Sequence, residues 1–350
     1  MIVTIFILII LTAVISVFEE HIESHRKYIY IVIGVFLIAL ASTRPVGIDR
    51  DSENYEESFK GYNDPVIEKT VEFSYSWLSE ALNTLTSDVH SIFLLYALIS
   101  IPLKLYGITK LSPIWFSSLV IYLSNYYILH ELTQIRAGVA AGAILIAIYQ
   151  MSKGERKKAS LLLLFATFFH YSSIITFPML FLGREAMNSK SKYFWASLIP
   201  IGYLFHFLHI GLTTLPIPYI ADKMEIYTEL RDRGILGDEA INVFNAVFVV
   251  KIITCYYLMY FSDTISNFNK AFPLMLRWYF ISLFAFIILA DMPVFAFRIS
   301  EIFGIVEIIL FSNLYYTVKP DYLSKSIIVV IGLLFFAFNI FQNELLLWQI

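Results

Sequence analysis

Residues 159–182 read ASLLLLFATFFHYSSIITFPMLFL, and the way this run meets a membrane decides the topology of everything after it. The run is long enough for one helical crossing, which needs about 20 apolar residues. Its middle is polar, however, with His170, Tyr171, Ser172 and Ser173 in a row. Lys and Arg in short loops favour the cytoplasmic side. Upstream, Arg26 and Lys27, then Lys104 and Lys110, then Lys153, Arg156, Lys157 and Lys158 mark loops that alternate onto one side. An ordinary crossing at 159–182 sends Arg184, Lys190 and Lys192 to the other side and leaves Lys270 with Arg277, and Lys319 with Lys325, misplaced or ambiguous. A re-entrant hairpin that enters and leaves on one side repairs all of them. Its halves, 159–169 and 171–182, each reach about 16 Å at about 1.5 Å per residue, half the bilayer. The polar turn then satisfies freed backbone groups provided it faces protein or water. The alternative is an ordinary helix followed by a loop that breaks the charge rule, and at this point both readings stand.

Working outward, apolar runs recur near 1–18, 28–43, 91–109, 113–129, 134–151, 193–212, 243–261, 277–291, 297–316 and 324–341. They predict an all-α polytopic membrane protein with about ten or eleven crossings. Composition agrees: 58% of the 350 residues are hydrophobic and 15% charged, against roughly a quarter charged in soluble domains. The first run lacks a basic leader region and a small-residue cleavage site, so it reads as a retained helix. No repeat or linker divides residues 1–350, which read as one membrane domain with external segments 44–90 and 213–242. A net charge of −3 argues against nucleic acid as a partner. The lone Cys255, in an apolar run, excludes an internal disulfide framework and reads as a packed thiol. His206 and His209 share a helical turn, but no third ligand recurs at useful spacing, so no metal site is expected.

Four polar clusters need a reason. Arg44-Pro-Val-Gly47-Ile-Asp49-Arg50-Asp51-Ser-Glu-Asn54-Tyr55 crowds both signs of charge where the second helix leaves the membrane. That concentration of charge beside an apolar boundary points to a functional cluster, and a snorkelling arginine with a solvated loop is the bland counterpart. The following 56–90 alternates aromatic and polar positions, as interfacial helices do. His130-Glu-Leu-Thr-Gln134-Ile-Arg136 precedes a helix rich in Ala and Gly. An arginine at such a helix start suits an anion such as a diphosphate, with close approach by a neighbour, and a snorkelling arginine explains the position equally well. His170, at membrane depth, is a candidate for proton transfer or substrate contact, or else a buried core histidine. Arg231-Asp-Arg233 and Arg298-Ile-Ser-Glu301 supply two further arginine sites. Arg298 and Glu301 share a helix face and either pair with each other or serve a ligand. Lys251 and Glu307 lie in mid-helix and need partners that the sequence does not reveal.

In their order along the chain, four landmarks resemble the EpsG-like polysaccharide polymerases, a group overlapping the Wzy O-antigen polymerases. They are Arg44-Pro-x-Gly47-x-Asp49-x-Asp51-Ser-x-Asn54-Tyr55, Gln134-x-Arg136-x-Gly138, Phe169-His170-Tyr171-Ser172-Ser173 and the late Arg298. The resemblance implies a GT-C-like architecture in the bacterial inner membrane with the active site facing the periplasm. The implied reaction moves a growing glycan from undecaprenyl-pyrophosphate onto an incoming lipid-linked repeat unit, without a metal or other cofactor. Membrane lipids and a chain-length regulator protein are the further partners implied.

In that reading Arg44, Arg136 and Arg298, with Arg231 or Arg233, face the diphosphate. Tyr55, Gln134 and Glu301 line the substrate site, and Asp49, Asp51 or His170 acts on the acceptor hydroxyl. The 213–242 loop is short for such a polymerase, which weakens the assignment of Arg231 and Arg233. A lipid-linked oligosaccharide flippase, a membrane O-acyltransferase with His170 as base, and an O-antigen ligase are the rival readings.

Overall fold

Each apolar run of the sequence carries helix. In the computed structural model the chain is described over residues 1–64, 71–208, 210 and 241–347. Arg231 and Arg233, with most of the expected external segment 213–242, lie outside the described residues. The helices are α1 (Ile2–Val17), α2 (Arg26–Ser42), α3 (Ser52–Lys60), α4 (Phe73–Asn83), α5 (His90–Leu111), α6 (Trp115–Ile121) and α7 (Ile135–Ser152). They continue as α8 (Arg156–Phe169), α9 (Ser189–Phe207), α10 (Ala246–Tyr260), α11 (Ser262–Phe268), α12 (Phe272–Ile288), α13 (Pro293–Gly304), α14 (Glu307–Leu310) and α15 (Asp321–Ala337). A π-helix, Tyr122–Thr133, joins α6 to α7, and a 3₁₀-helix, Tyr171–Phe181, follows α8. Among the described residues the only β pairing recorded is an isolated bridge between Asp49 and Leu346.

Helix falls in every apolar run, and the chain is an all-α polytopic membrane protein. Among the described residues three helices are individually long and apolar enough to cross a membrane: α5, α7 and Asp321–Gln342. Taking α10 and α11 together, bent by 75°, adds a fourth. By that measure crossings are fewer than runs, because several runs are broken into shorter helices. In α7 the small residues admit a neighbour, as their pattern implies. A Cβ on Gly142 would lie 2.8 Å from Leu103 Cβ of α5, and one on Gly138 would lie 2.8 Å from the His130 carbonyl.

The charged residues Lys104, Glu131, Lys251 and Glu307 inside the bundle pair with one another. Lys104 Nζ donates to Glu131 Oε1 (2.5 Å), Ser100 Oγ (2.8 Å) and the Gly138 carbonyl (2.6 Å), and Tyr122 donates to the same Glu131 oxygen at 2.9 Å. Lys251 and Glu307 prove to be each other's partners at 2.8 Å. Glu307 also accepts from Tyr279 at 3.0 Å and from Tyr126 and Asn125 at 3.3 Å. Removing one member of such a pair leaves an uncompensated buried charge, at a cost of about 3–5 kcal/mol.

The 159–182 run is a hairpin. α8 leaves the end of α7, packs back along it, and stops at His170, whose backbone is extended. The 3₁₀-helix then returns along α8. The two arms match in length: 14 α-helical residues cover ~21 Å and 11 residues of 3₁₀-helix ~22 Å. Both ends therefore lie at one face, where the Arg184 guanidinium packs against Gly154. Arg277 donates there to the carbonyls of Gly183 and Glu185, and Lys192 pairs with Asp263 at 2.8 Å. Asn269 donates to the Leu111 carbonyl at 2.8 Å and Lys325 to the Val17 carbonyl at 3.4 Å. The basic loops at 26–27, 110, 153–158, 184–192, 270 and 319–325 thus share one face, as the hairpin reading requires. The arms run deeper than the expected half-bilayer reach, since α8 starts at Arg156 and carries His170 to the opposite end of α7.

This topology predicts one labelling pattern. In a Cys255→Ala background, single cysteines at the exposed positions Lys157 and Lys190 should react with an impermeant maleimide from the same side of the membrane. Labelling from opposite sides would restore the ordinary crossing.

Candidate functional site

The site assembles at the end of the bundle opposite the basic loops, starting from the 44–55 motif. Gly47 has φ +84°, a left-handed conformation that suits glycine, and its N–H donates to Ser52 Oγ at 2.9 Å. Asp49 turns inward, and its Oδ1 accepts from the backbone N–H groups of Asp51 (3.0 Å) and Ser52 (2.9 Å), fixing the start of α3. Its other oxygen accepts from Arg44 Nε at 3.3 Å. The Arg44 side chain is fully buried, with its guanidinium over the Phe93 ring at 3.7 Å and one nitrogen donating to the Ala41 carbonyl at 2.7 Å. The chain's last described residues strap this turn, Leu347 N–H donating to the Ile48 carbonyl at 2.8 Å. Burial pushes the Asp49 carboxyl above its ordinary value against the opposing charge of Arg44.

With the turn fixed, α3 presents Asp51 and Tyr55 toward the start of α7. Tyr75 of α4 donates to the Tyr55 carbonyl at 2.7 Å, and the Arg136 guanidinium lies 5.5 Å from the Tyr55 ring and 5.8 Å from that of Tyr75. Glu72, just before α4, joins three elements. It pairs with Arg136, and its Oε1 is 2.9 Å from His170 Nδ1 at the hairpin tip. Next to it, Phe73 N–H donates to the Tyr171 hydroxyl at 3.0 Å. The charges of Arg136 and Arg298 both act on Asp51, whose carboxyl is nonetheless raised, first by burial and then by the charge of Asp49. Gln134 and the charges of Arg298 and Lys251 act on Glu301, whose Oε2 is buried without a hydrogen-bond partner. No ion pair joins Arg298 to Glu301 among the described residues.

The structure therefore divides the sequence candidates. Asp51, Tyr55, Gln134, Arg136, His170, Arg298 and Glu301 come together. Arg44 and Asp49 are enclosed, and they brace the site from behind instead of lining it. His130 and Glu131, near Arg136 in sequence, turn into the bundle because every residue of the π-helix is buried. Arg231 and Arg233 are outside the described residues. Glu72 is the residue that sequence reading missed. Its one signal was a carboxylate immediately before an aromatic helix, and nothing in the spacing joined it to His170, 98 residues away. Among the described residues no group of three or more His, Cys, Asp or Glu side chains is arranged to hold a metal ion.

Chemically, the arrangement offers two arginines for an anion, a carboxylate–imidazole pair and two further carboxyl groups, Asp51 and Glu301. Burial opposes the charge on Glu72, yet the His170 hydrogen bond and the Arg136 charge together hold its carboxyl below the ordinary 4.5. A depressed carboxyl stabilises the fold fully above the unfolded value, and that contribution is lost as pH falls through the folded value. We expect Glu72→Gln to cost about 2–3 kcal/mol near neutrality, less than a fully buried pair because the Arg136 side chain stays 23% exposed. The difference in thermal stability from wild type should shrink below pH 4.5. A difference that stays constant into strong acid would show that the Glu72 charge is not what holds these elements together.

Neither curated proteins nor solved structures yield a match to this chain. A family model does, over residues 27–348, nearly the whole length and all four sequence landmarks. The chain belongs to the EpsG family.

Proposed function

We propose that this chain is a polysaccharide polymerase that joins undecaprenyl-pyrophosphate-linked repeat units at the outer face of the bacterial inner membrane. Family membership supports a polysaccharide-polymerase role in general. The observation that carries the finer reading is the convergence of Arg136, Arg298 and Asp51 beside the Glu72–His170 pair, at the end of the bundle away from the basic loops. Basic loops favour the cytoplasm, so the opposite face is taken as periplasmic. A GT-C-like architecture is part of this proposal.

In the proposed reaction the bond from the donor sugar C1 to the diphosphate oxygen breaks, and the electron pair leaves on the diphosphate. An acceptor hydroxyl oxygen forms the new bond to C1 and gives its proton to a base of the site. Charge develops on the leaving diphosphate, where Arg136 at the N-terminus of α7 and Arg298 are suited to stabilise it. Asp51, near both arginines, and His170, held by Glu72, are the candidate bases. Gln134 and Glu301 offer polar contacts to sugar hydroxyls, and Trp77, 54% exposed, offers a ring face for stacking.

Deleting the gene should leave single repeat units on their lipid carriers while abolishing long chains on a stained glycan ladder. Loss of all surface glycan, single units included, would favour a flippase or a ligase. Arg136→Ala and Arg298→Ala should reduce chain extension by roughly 10²–10³-fold per amount of folded protein in the membrane. Arg44→Ala should instead lower the amount of folded protein in the membrane. Wild-type ladders from both Arg136→Ala and Arg298→Ala would remove the site assignment.

A further inference from the structure

We infer that Glu72 couples donor binding to acceptor activation: it yields Arg136 to the donor's diphosphate and then serves His170 alone, whose second ring nitrogen takes the acceptor proton. The inference rests on the polymerase reading above. Its ground is that each Glu72 oxygen has a different partner, Oε2 on Arg136 and Oε1 on His170 Nδ1 at 2.9 Å. The arginine best placed for a diphosphate is already neutralised by a carboxylate. A diphosphate carries more charge than one carboxylate and bonds arginine at least as well, so it competes for Arg136 directly. Glu72 need not leave the site when displaced, because the Phe73 N–H bond to the Tyr171 hydroxyl holds the adjacent backbone on the hairpin tip.

Once Arg136 is engaged by the donor, the Glu72 charge is opposed only by the imidazole. A carboxylate on Nδ1 fixes the tautomer, leaves Nε2 as the acceptor of a proton and stabilises the imidazolium that forms. Other charged or titratable groups around the Glu72–His170 pair include Arg136, the buried His130 and Tyr171, whose hydroxyl accepts from the Phe73 N–H. The acceptor O–H proton passes to Nε2 as the new bond to C1 forms and the diphosphate departs with its electron pair. The imidazolium then gives its proton to water, and Glu72 returns to Arg136. The base is thereby armed only when a donor is seated, which disfavours wasted proton transfer before the leaving group is bound. His170 acts on the reacting atoms, whereas Glu72 acts through Arg136 and His170 as a positioning residue.

The test uses the full chain in lipid nanodiscs, with undecaprenyl diphosphate as the binding probe and lipid-linked repeat units for turnover. Glu72→Gln should bind the probe about tenfold more tightly, since the internal competitor for Arg136 is gone. Its turnover should fall on the order of 10²-fold, as expected when a base loses its support. Glu72→Asp is too short to hold both partners, so it should bind the probe more tightly than wild type and keep part of the turnover. Probe binding that weakens or stays unchanged in both variants overturns the coupling, as does full turnover in Glu72→Gln. Wild-type protein that binds the probe yet builds no chains counts against the polymerase reading itself, and the binding comparison still decides the coupling.

Discussion

A carboxylate nearly enclosed by protein must find partners or take up a proton, and Glu72 satisfies that demand on two separate elements. Its side chain is 11% exposed, with Arg136 at the start of α7 on one oxygen and His170 at the hairpin tip on the other. Through that carboxylate the segment between α2 and α5 is docked on the helices beneath it. A small apolar core of Tyr55, Phe59, Tyr75, Phe93, Tyr96 and Phe169 completes the docking. The polar groups at this end of the bundle owe their arrangement to this contact. Arg136 is oriented by Glu72, α3 is aligned by Tyr75 on the Tyr55 carbonyl, and Asp51 is thereby brought under the influence of Arg136 and Arg298.

The 44–55 motif takes on a different meaning in this light. Its charges looked like a substrate cluster, yet Arg44 and Asp49 spend theirs on each other and on backbone groups. They hold the sharp turn at Gly47 so that Asp51 and Tyr55, a few residues later, face the arginines. The same economy runs through the bundle. Lys104 with Glu131 and Lys251 with Glu307 join residues far apart in sequence, and further donors support each pair: the Tyr122 hydroxyl on the same Glu131 oxygen, and Tyr279, Tyr126 and Asn125 on Glu307.

What could be seen in the sequence was what a one-dimensional signal carries. The failure of loop charges to alternate around 159–182 raised the hairpin beside an ordinary crossing, because the membrane imposes a rule that each loop must answer singly. The Gln134-x-Arg136 helix start was visible for the same reason, being local. Glu72 was not, since its partners are 64 and 98 residues away and its neighbours carry no motif of their own. The inward turn of His130 and Glu131 was hidden too. It depends on the π-helical stretch, all of whose residues are buried and which no local sequence signal marks. The enclosure of Arg44 depended on Phe93, which arrives from the next long helix.

The claim that one carboxylate joins the segment between α2 and α5 to the membrane helices is tested most directly by a double-mutant cycle between Glu72→Gln and Arg136→Met. Thermal unfolding is measured for wild type, both single variants and the double variant in the same lipid nanodiscs. The account predicts that the double variant is more stable than the sum of the single losses implies, by at least about 1 kcal/mol, as for residues in direct contact. Losses that simply add would show that Glu72 and Arg136 stabilise the protein independently, and the docking described here would be wrong.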